Sequence, residues 1–132
     1  MSRIDHVAVV VDNLDEARRF VGDLLGLQLV SEGESVETAA RYAFYQWGEV
    51  QLELLEITDP EKRRKRMGGE RSARIEHIGV AVDDLTGTVA GMRSKGVRTM
   101  TEEPVAVGKW RYYFTDPETT DGVIYQVFSA AD

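Results

Sequence analysis

The chain has 132 residues, and 16 Lys and Arg against 23 Asp and Glu leave a net charge of −7. That balance argues against a broad nucleic-acid footprint, and no apolar run approaches the ~18 residues of a membrane span. With no cysteine, neither disulfides nor thiolates can hold the fold or a metal, so any ion must be bound by His, Glu, Asp, Gln or Asn. A hydrophobic share of 42% and a charged share of 30% describe an ordinary globular protein. One domain over residues 1–132 is expected, burying about two thirds of its unfolded surface. The start, Met1-Ser2-Arg3-Ile4, runs straight into a strand and shows no signal-peptide pattern, so a cytoplasmic location is expected.

Residues 3–11 predict a strand rich in β-branched side chains, with Ile4, His6, Ala8 and Val10 on one face and Val7, Val9 and Val11 on the other. Asp12-Asn13 offers a helix N-cap. Leu14, Ala17, Phe20, Val21, Leu24 and Leu25 follow at helical spacing, and Gly26 supplies the stop. Strands are predicted at about 28–32, 40–46 and 49–57, the last two joined by a turn at Trp47-Gly48. Residues 3–57 thus form one βαβββ module. Residues 58–74 read as a polar linker punctuated by Pro60, Gly68 and Gly69.

The second module spans residues 75–128. Its first strand covers 74–82, and its helix runs from Asp84 to Lys95 with Leu85, Val89 and Met92 on one stripe and Gly96 as the cap. Gly87 and Gly91 each cost that helix roughly 1 kcal/mol relative to Ala, so it relies on packing. Strands follow at about 97–102, 109–114 and 122–128.

The two modules share a phrase. Ile4-Asp5-His6-Val7-Ala8-Val9-Val10-Val11-Asp12-Asn13-Leu14 recurs, without a gap and 71 residues later, as Ile75-Glu76-His77-Ile78-Gly79-Val80-Ala81-Val82-Asp83-Asp84-Leu85. Such self-similarity signals two copies of one structural unit. The phrase carries the only two histidines in the chain. Each module's fourth strand repeats the intrusion of a polar group among apolar ones: Glu53 lies 47 residues after His6, and Gln126 lies 49 after His77. A lone strand histidine is ordinarily a hydrogen-bonded structural residue, and a lone Glu53 could sit on a solvated face. Four such groups in register with a repeat favour another explanation. A carboxylate facing an apolar sheet costs several kcal/mol unless it is partnered. A divalent cation would provide the partner, with imidazole nitrogens and hard oxygens as its ligands. Ala8 and Gly79, two residues beyond the histidines, leave room for it.

These residues resemble a known family. Ile-Asp-His-Val with Asp-Asn-Leu, the Leu-Glu-Leu-Leu-Glu strand ending at Glu56, His-Ile-Gly-Val-Ala-Val-Asp-Asp-Leu, and the closing Thr-Asp-Pro-Glu with Asp-Gly-Val-Ile-Tyr-Gln resemble the vicinal oxygen chelate superfamily. Within it, the chain is most similar to methylmalonyl-CoA epimerases and the glyoxalase I group. The resemblance implies an α+β fold of two tandem βαβββ modules forming a cupped, mostly antiparallel sheet around a metal site. It implies His6, Glu53, His77 and Gln126 as ligands of one divalent ion (Co, Ni, Zn, Mn, Mg or Fe). It also implies a small-molecule substrate, with no nucleic acid or membrane partner, and a homodimer is expected. The implied activity is that of a metal-dependent lyase, isomerase or epimerase that stabilises an enolate of a small carbonyl acid or thioester. Glu53 is then the proton carrier.

Gln126 departs from the family pattern, which usually has glutamate there. A single carboxylate leaves the site near +1 and favours an anionic, bidentate oxygen ligand. Two other activities fit part of this pattern. Two histidines and one carboxylate also describe the facial triad of a non-haem iron(II) ring-cleaving dioxygenase, although no further histidine is left to assist it. A non-catalytic protein that sequesters an antibiotic or similar small molecule is the other, but such members often lack the ligands. The run Lys62-Arg63-Arg64-Lys65-Arg66 could grip a phosphate-bearing handle such as coenzyme A or simply be solvated. Tyr42, Phe44, Trp47, Trp110, Tyr112 and Phe114 gather on the hairpin strands, and Glu34 and Glu37 precede the third strand of the first module as candidates for a second base.

Overall fold

The computed structural model describes residues 2–131 and shows a mixed α+β protein built from βαβββ modules. Packing divides the chain into two compact units. One is His6–Glu76, and the other joins the residues up to Asp5 with those from His77 onward.

In the first unit, β1 (Arg3–Val11) runs parallel to β4 (Val50–Ile57), which pairs antiparallel with β3 (Ala40–Trp47), and β3 with β2 (Gln28–Ser35). The alternation predicted for β1 holds: His6, Ala8 and Val10 are buried on one face, while Val9 and Val11 pack under the helix on the other. That helix, α1 (Leu14–Arg18), starts where expected because Asn13 Oδ1 accepts from the Glu16 amide at 3.0 Å. A second acceptor comes from across the sheet, where Glu56 Oε1 takes the Leu14 amide at 3.0 Å. The carboxylate also suits the positive end of the helix dipole.

The six-residue helical stripe does not survive intact. After Arg18 the chain widens into a π-helical turn over Arg19–Leu24, closed by the Leu25 amide bonding to Phe20 O at 3.0 Å. An i→i+5 turn inserts a residue and breaks the 3.6-residue phase. Leu14, Ala17 and Val21 therefore reach the core with Ala43, Tyr45, Leu52 and Leu54, whereas Phe20, Leu24 and Leu25 stay 54%, 73% and 55% exposed.

The segment 58–74, read as a linker, contains a helix. In α2 (Pro60–Met67), Pro60 occupies the first turn, Asp59 Oδ1 accepts from the Glu61 and Lys62 amides, and Gly68 takes a left-handed cap at φ 76°. The same Pro and Gly that punctuate a loop also open and close a helix. The apolar contribution of α2 is Met67, fully buried against Val10, Ala40, Leu55 and Ile57 on the sheet face opposite α1.

The second unit repeats the plan with β5 (Ala73–Ala81), α3 (Leu85–Ser94), β6 (Val105–Val107), β7 (Trp110–Phe114) and β8 (Ile124–Ala130). Strands β5 and β8 are parallel, and β8–β7 and β7–β6 are antiparallel. Val82, Leu85, Val89, Tyr113 and Val127 form its core. Asp84 Oδ1 caps α3 through the Gly87 amide at 3.0 Å. A Cβ at Gly87 would collide with that carboxylate, so this glycine serves the cap instead of merely weakening the helix.

A strand predicted at 97–102 is replaced by a single bridge between Thr99 and Thr115. Here the Arg93 guanidinium takes Thr99 Oγ1 at 2.7 Å and Glu102 O at 3.0 Å. Backbone pairing survives from Met100 N–H to Phe114 O and from Asp116 N–H to Arg98 O, while the Glu102 carbonyl is satisfied by a side chain. The strand re-forms only after Pro104, as the three residues of β6.

Candidate active site

Parallel pairing of β1 with β4 sets His6 opposite Gln51 and Ala8 opposite Glu53. Since side chains alternate along strands, His6, Ala8 and Glu53 share one face. Ala8 carries too little bulk to separate the other two, and His6 Nε2 stands 3.6 Å from Glu53 Oε1, with side chains only 6% and 12% exposed. This spacing suits common ligation: two ligand atoms about 2.1 Å from one cation lie roughly 3.0–3.4 Å apart, depending on geometry. One nitrogen and one hard oxygen also form the donor set of a borderline divalent ion. The residues present therefore fit a divalent ion.

Phe44 completes this half. It pairs with Glu53 across β3 and β4, and its ring meets the His6 imidazole edge to face, centroids 5.6 Å apart at 87°. Tyr42 in turn meets Phe44 at 5.7 Å. The Tyr42 hydroxyl lies over Gly33, its cross-strand partner, where a Cβ would clash with it.

The second unit builds the same arrangement from different letters. His77 is 2% exposed and stands opposite Ile124, while Gly79 stands opposite Gln126. Gln126 pairs with Phe114, whose ring meets His77 edge to face at 4.9 Å and 65°. Tyr112 meets Phe114 at 5.2 Å. Hence Phe44 and Phe114 occupy equivalent positions, as do Tyr42 and Tyr112. The Tyr-x-Phe pattern repeating at a 70-residue offset was the available signal for an aromatic support behind each imidazole. Edge-to-face aromatic contacts of this kind hold a ring's orientation and contribute about 0.5–1.5 kcal/mol.

Other candidates lie elsewhere. Glu34 pairs with Arg41, which pairs with Glu56, so it belongs to the face opposite Glu53. Glu37 is exposed and accepts from Ser35 Oγ at 3.2 Å. The basic run of α2 is largely committed to its own unit. Arg63 donates to Ile57 O at 2.8 Å, Arg64 pairs with Glu70 at 3.1 Å, and Arg66 forks onto the buried Glu76 with one bond of 2.8 Å. Glu56, the second carboxylate of the Leu-Glu-Leu-Leu-Glu motif, is the helix cap described above.

Comparison with known proteins agrees with this architecture. Residues 3–126 match the Glyoxalase/Bleomycin resistance protein/Dioxygenase superfamily, and the chain belongs to that family. It is 26% identical to the mitochondrial methylmalonyl-CoA epimerase of Homo sapiens, over 98% of this chain and 75% of that protein. It is 28% identical to a 2-epi-5-epi-valiolone epimerase of Actinomyces sp, over 85% and 73% of the two chains. Among solved structures, the methylmalonyl-CoA epimerase of Mycobacterium tuberculosis superposes with a TM-score of 0.85 at 27% identity, covering 98% of this chain and 88% of that one. These relatives support an enzyme of epimerase-like kind. No helix among the described residues is long and apolar enough to cross a membrane.

Proposed function

We propose that this chain is a metal-dependent proton-transfer enzyme, an epimerase or isomerase acting on a small carbonyl acid or its thioester. His6, Glu53, His77 and Gln126 would hold one divalent ion, each repeat supplying a histidine and an oxygen donor. The single observation that carries the reading is the approach of His6 Nε2 to Glu53 Oε1 on a nearly dry sheet face. The precise recurrence of the His phrase at His77 supports it, as do the epimerases among the relatives.

When bound, such an ion supplies Lewis acidity that polarises the substrate's oxygens and makes the adjacent C–H bond more acidic, contributing several kcal/mol. The rest falls to the protein. Glu53 is the carboxylate placed to receive the proton and return it. His6, with its ring set against Phe44, holds its nitrogen toward that carboxylate. Gln126 offers a neutral amide where the first unit has an acid, so the site keeps one negative first-hand donor and suits an anionic substrate.

Two measurements test this together. Purified protein should carry about one divalent ion per chain, and both His6→Ala and His77→Ala should lose it. In deuterated solvent, the metal-loaded protein should exchange the α-proton of an acyl thioester such as methylmalonyl-CoA or of a related carbonyl acid, followed by NMR. No exchange with any substrate in any metal form would sink the proposal.

A further inference from the structure

The repeat is faithful at the histidines and departs beyond them. On the site face of the first unit, Ala40, Tyr42 and Phe44 of β3 stand opposite Ile57, Leu55 and Glu53 of β4. In the second unit the same register reads Trp110, Tyr112 and Phe114 opposite Ala130, Phe128 and Gln126. Two positions have therefore grown, Ala40 to Trp110 and Leu55 to Phe128, while Ile57 has shrunk to Ala130. Trp110 and Phe128 are packed edge to face, centroids 5.6 Å apart, and Tyr112 meets Phe114 at 5.2 Å. The four rings line the sheet beside Gln126, starting at its strand partner.

The two faces are also covered differently. In the first unit, Met67 of α2 seals Val10, Ala40, Leu55 and Ile57, leaving them 0–6% exposed. In the second unit Tyr112, Phe114 and Phe128 remain partly exposed and Trp110 is 42% exposed. Lys109 lays its ammonium over the Trp110 ring at 4.9 Å, which helps fix the indole in place. An organised, incompletely covered aromatic wall that begins at a proposed metal ligand suits the organic part of that ligand's substrate. Tyr42 and Phe44 of the first unit are partly exposed like Tyr112 and Phe114, so what the second unit adds is the pair Trp110 and Phe128.

We propose that the substrate carries an aryl or comparably broad, flat apolar substituent on its chelating acid, seated against Trp110, Tyr112 and Phe128. This rests on the metal-site reading above and specifies the substrate class that it left open. The probes are two 2-hydroxy acids that chelate alike and differ by one ring, phenyllactate and lactate, offered to the zinc-loaded protein. A Trp47→Phe background leaves Trp110 as the sole tryptophan, because the chain has two. Phenyllactate should bind at least ~10-fold more tightly than lactate, as expected for burying most of a phenyl group, and should shift Trp110 emission to shorter wavelength.

The double variant Trp110→Ala, Phe128→Leu gives those two positions the side chains of the first unit. By calorimetry it should erase the preference while zinc uptake and lactate affinity stay unchanged. Equal affinities for the two acids with zinc bound would overturn the proposal and leave the metal site standing. Emission that shifts with protein concentration and ignores phenyllactate would assign the wall to a second copy of the chain, and overturn it too. Failure to take up zinc or any other divalent ion would instead bring down the underlying site, and this proposal with it.

Discussion

The two units share a register but not a chemistry. In each, a parallel pair places a histidine two residues before a small side chain, and that small residue faces the polar member of the fourth strand: Ala8 with Glu53, Gly79 with Gln126. Each backs its imidazole with a phenylalanine and that phenylalanine with a tyrosine. They differ where packing allows it. The first packs Met67 over one end of its site face and anchors its helix through Glu56, whereas the second has Trp110, 42% exposed, at the matching end and caps its helix with Asp84 over Gly87. Alternation and pairing register preserve the positions, while single substitutions at those positions decide the charge and shape found there.

The largest effect should come from exchanging the acid and the amide. Glu53→Gln removes the only carboxylate of the proposed set and should lower α-proton exchange by about 10²–10⁴-fold, the usual worth of a positioned proton carrier. Gln126→Glu alone should raise exchange by adding a second carboxylate. The double swap tests equivalence directly. If the two fourth-strand positions are interchangeable, it recovers most of the lost rate; if exchange stays at the level of Glu53→Gln, the units are equivalent in backbone only.

Next in size is the seal on the first unit. Met67 is 2% exposed among Val10, Ala40, Leu55 and Ile57, so Met67→Ala should cost about 2–5 kcal/mol of stability through lost burial and the cavity left behind. A urea titration reads this as a lower midpoint with an unchanged slope. A midpoint within error of the parent would show that α2 is not part of the core.

Much of this was legible in the residues, for reasons that can be named. Strand β1 declares itself because a run of β-branched side chains alternates cleanly, and the ungapped repeat transfers that reading to β5. The histidines and their fourth-strand partners stand out because polar groups interrupt apolar strands at matching positions. Helix α2 was hidden because Pro60 and Gly68 mark loops as readily as helix ends, and its single buried residue, Met67, creates no stripe. The exposure of Phe20, Leu24 and Leu25 was hidden because a π-helical turn leaves no composition signal. The displaced strand at β6 goes with hydrogen bonds from the Arg93 side chain to Thr99 and Glu102, which backbone propensity does not register. The phenylalanines behind the imidazoles are on view in the repeated Tyr-x-Phe, but aromatic residues on hairpin strands are common enough that the pattern does not point to the histidines.

The smallest effect belongs to a turn that only the second unit possesses. Between β7 and β8, Asp116 accepts the Glu118 amide at 3.0 Å and the Arg98 guanidinium at 3.0 and 3.2 Å. The Glu118 N–H, followed by the Arg98 contact, holds the Asp116 carboxyl below its ordinary value of 3.8. A folded-state value below the unfolded one means that the contribution is present above about pH 4 and disappears as pH falls through that range. The Asp116 side chain is 26% exposed, so solvent screening keeps the effect slight. Asp116→Asn should therefore lower the urea midpoint a little at pH 6 and leave it indistinguishable from the parent at pH 2.5. A gap between the two proteins that persists undiminished in acid would mean that the loss comes from an uncharged difference between the two side chains and owes nothing to the charge.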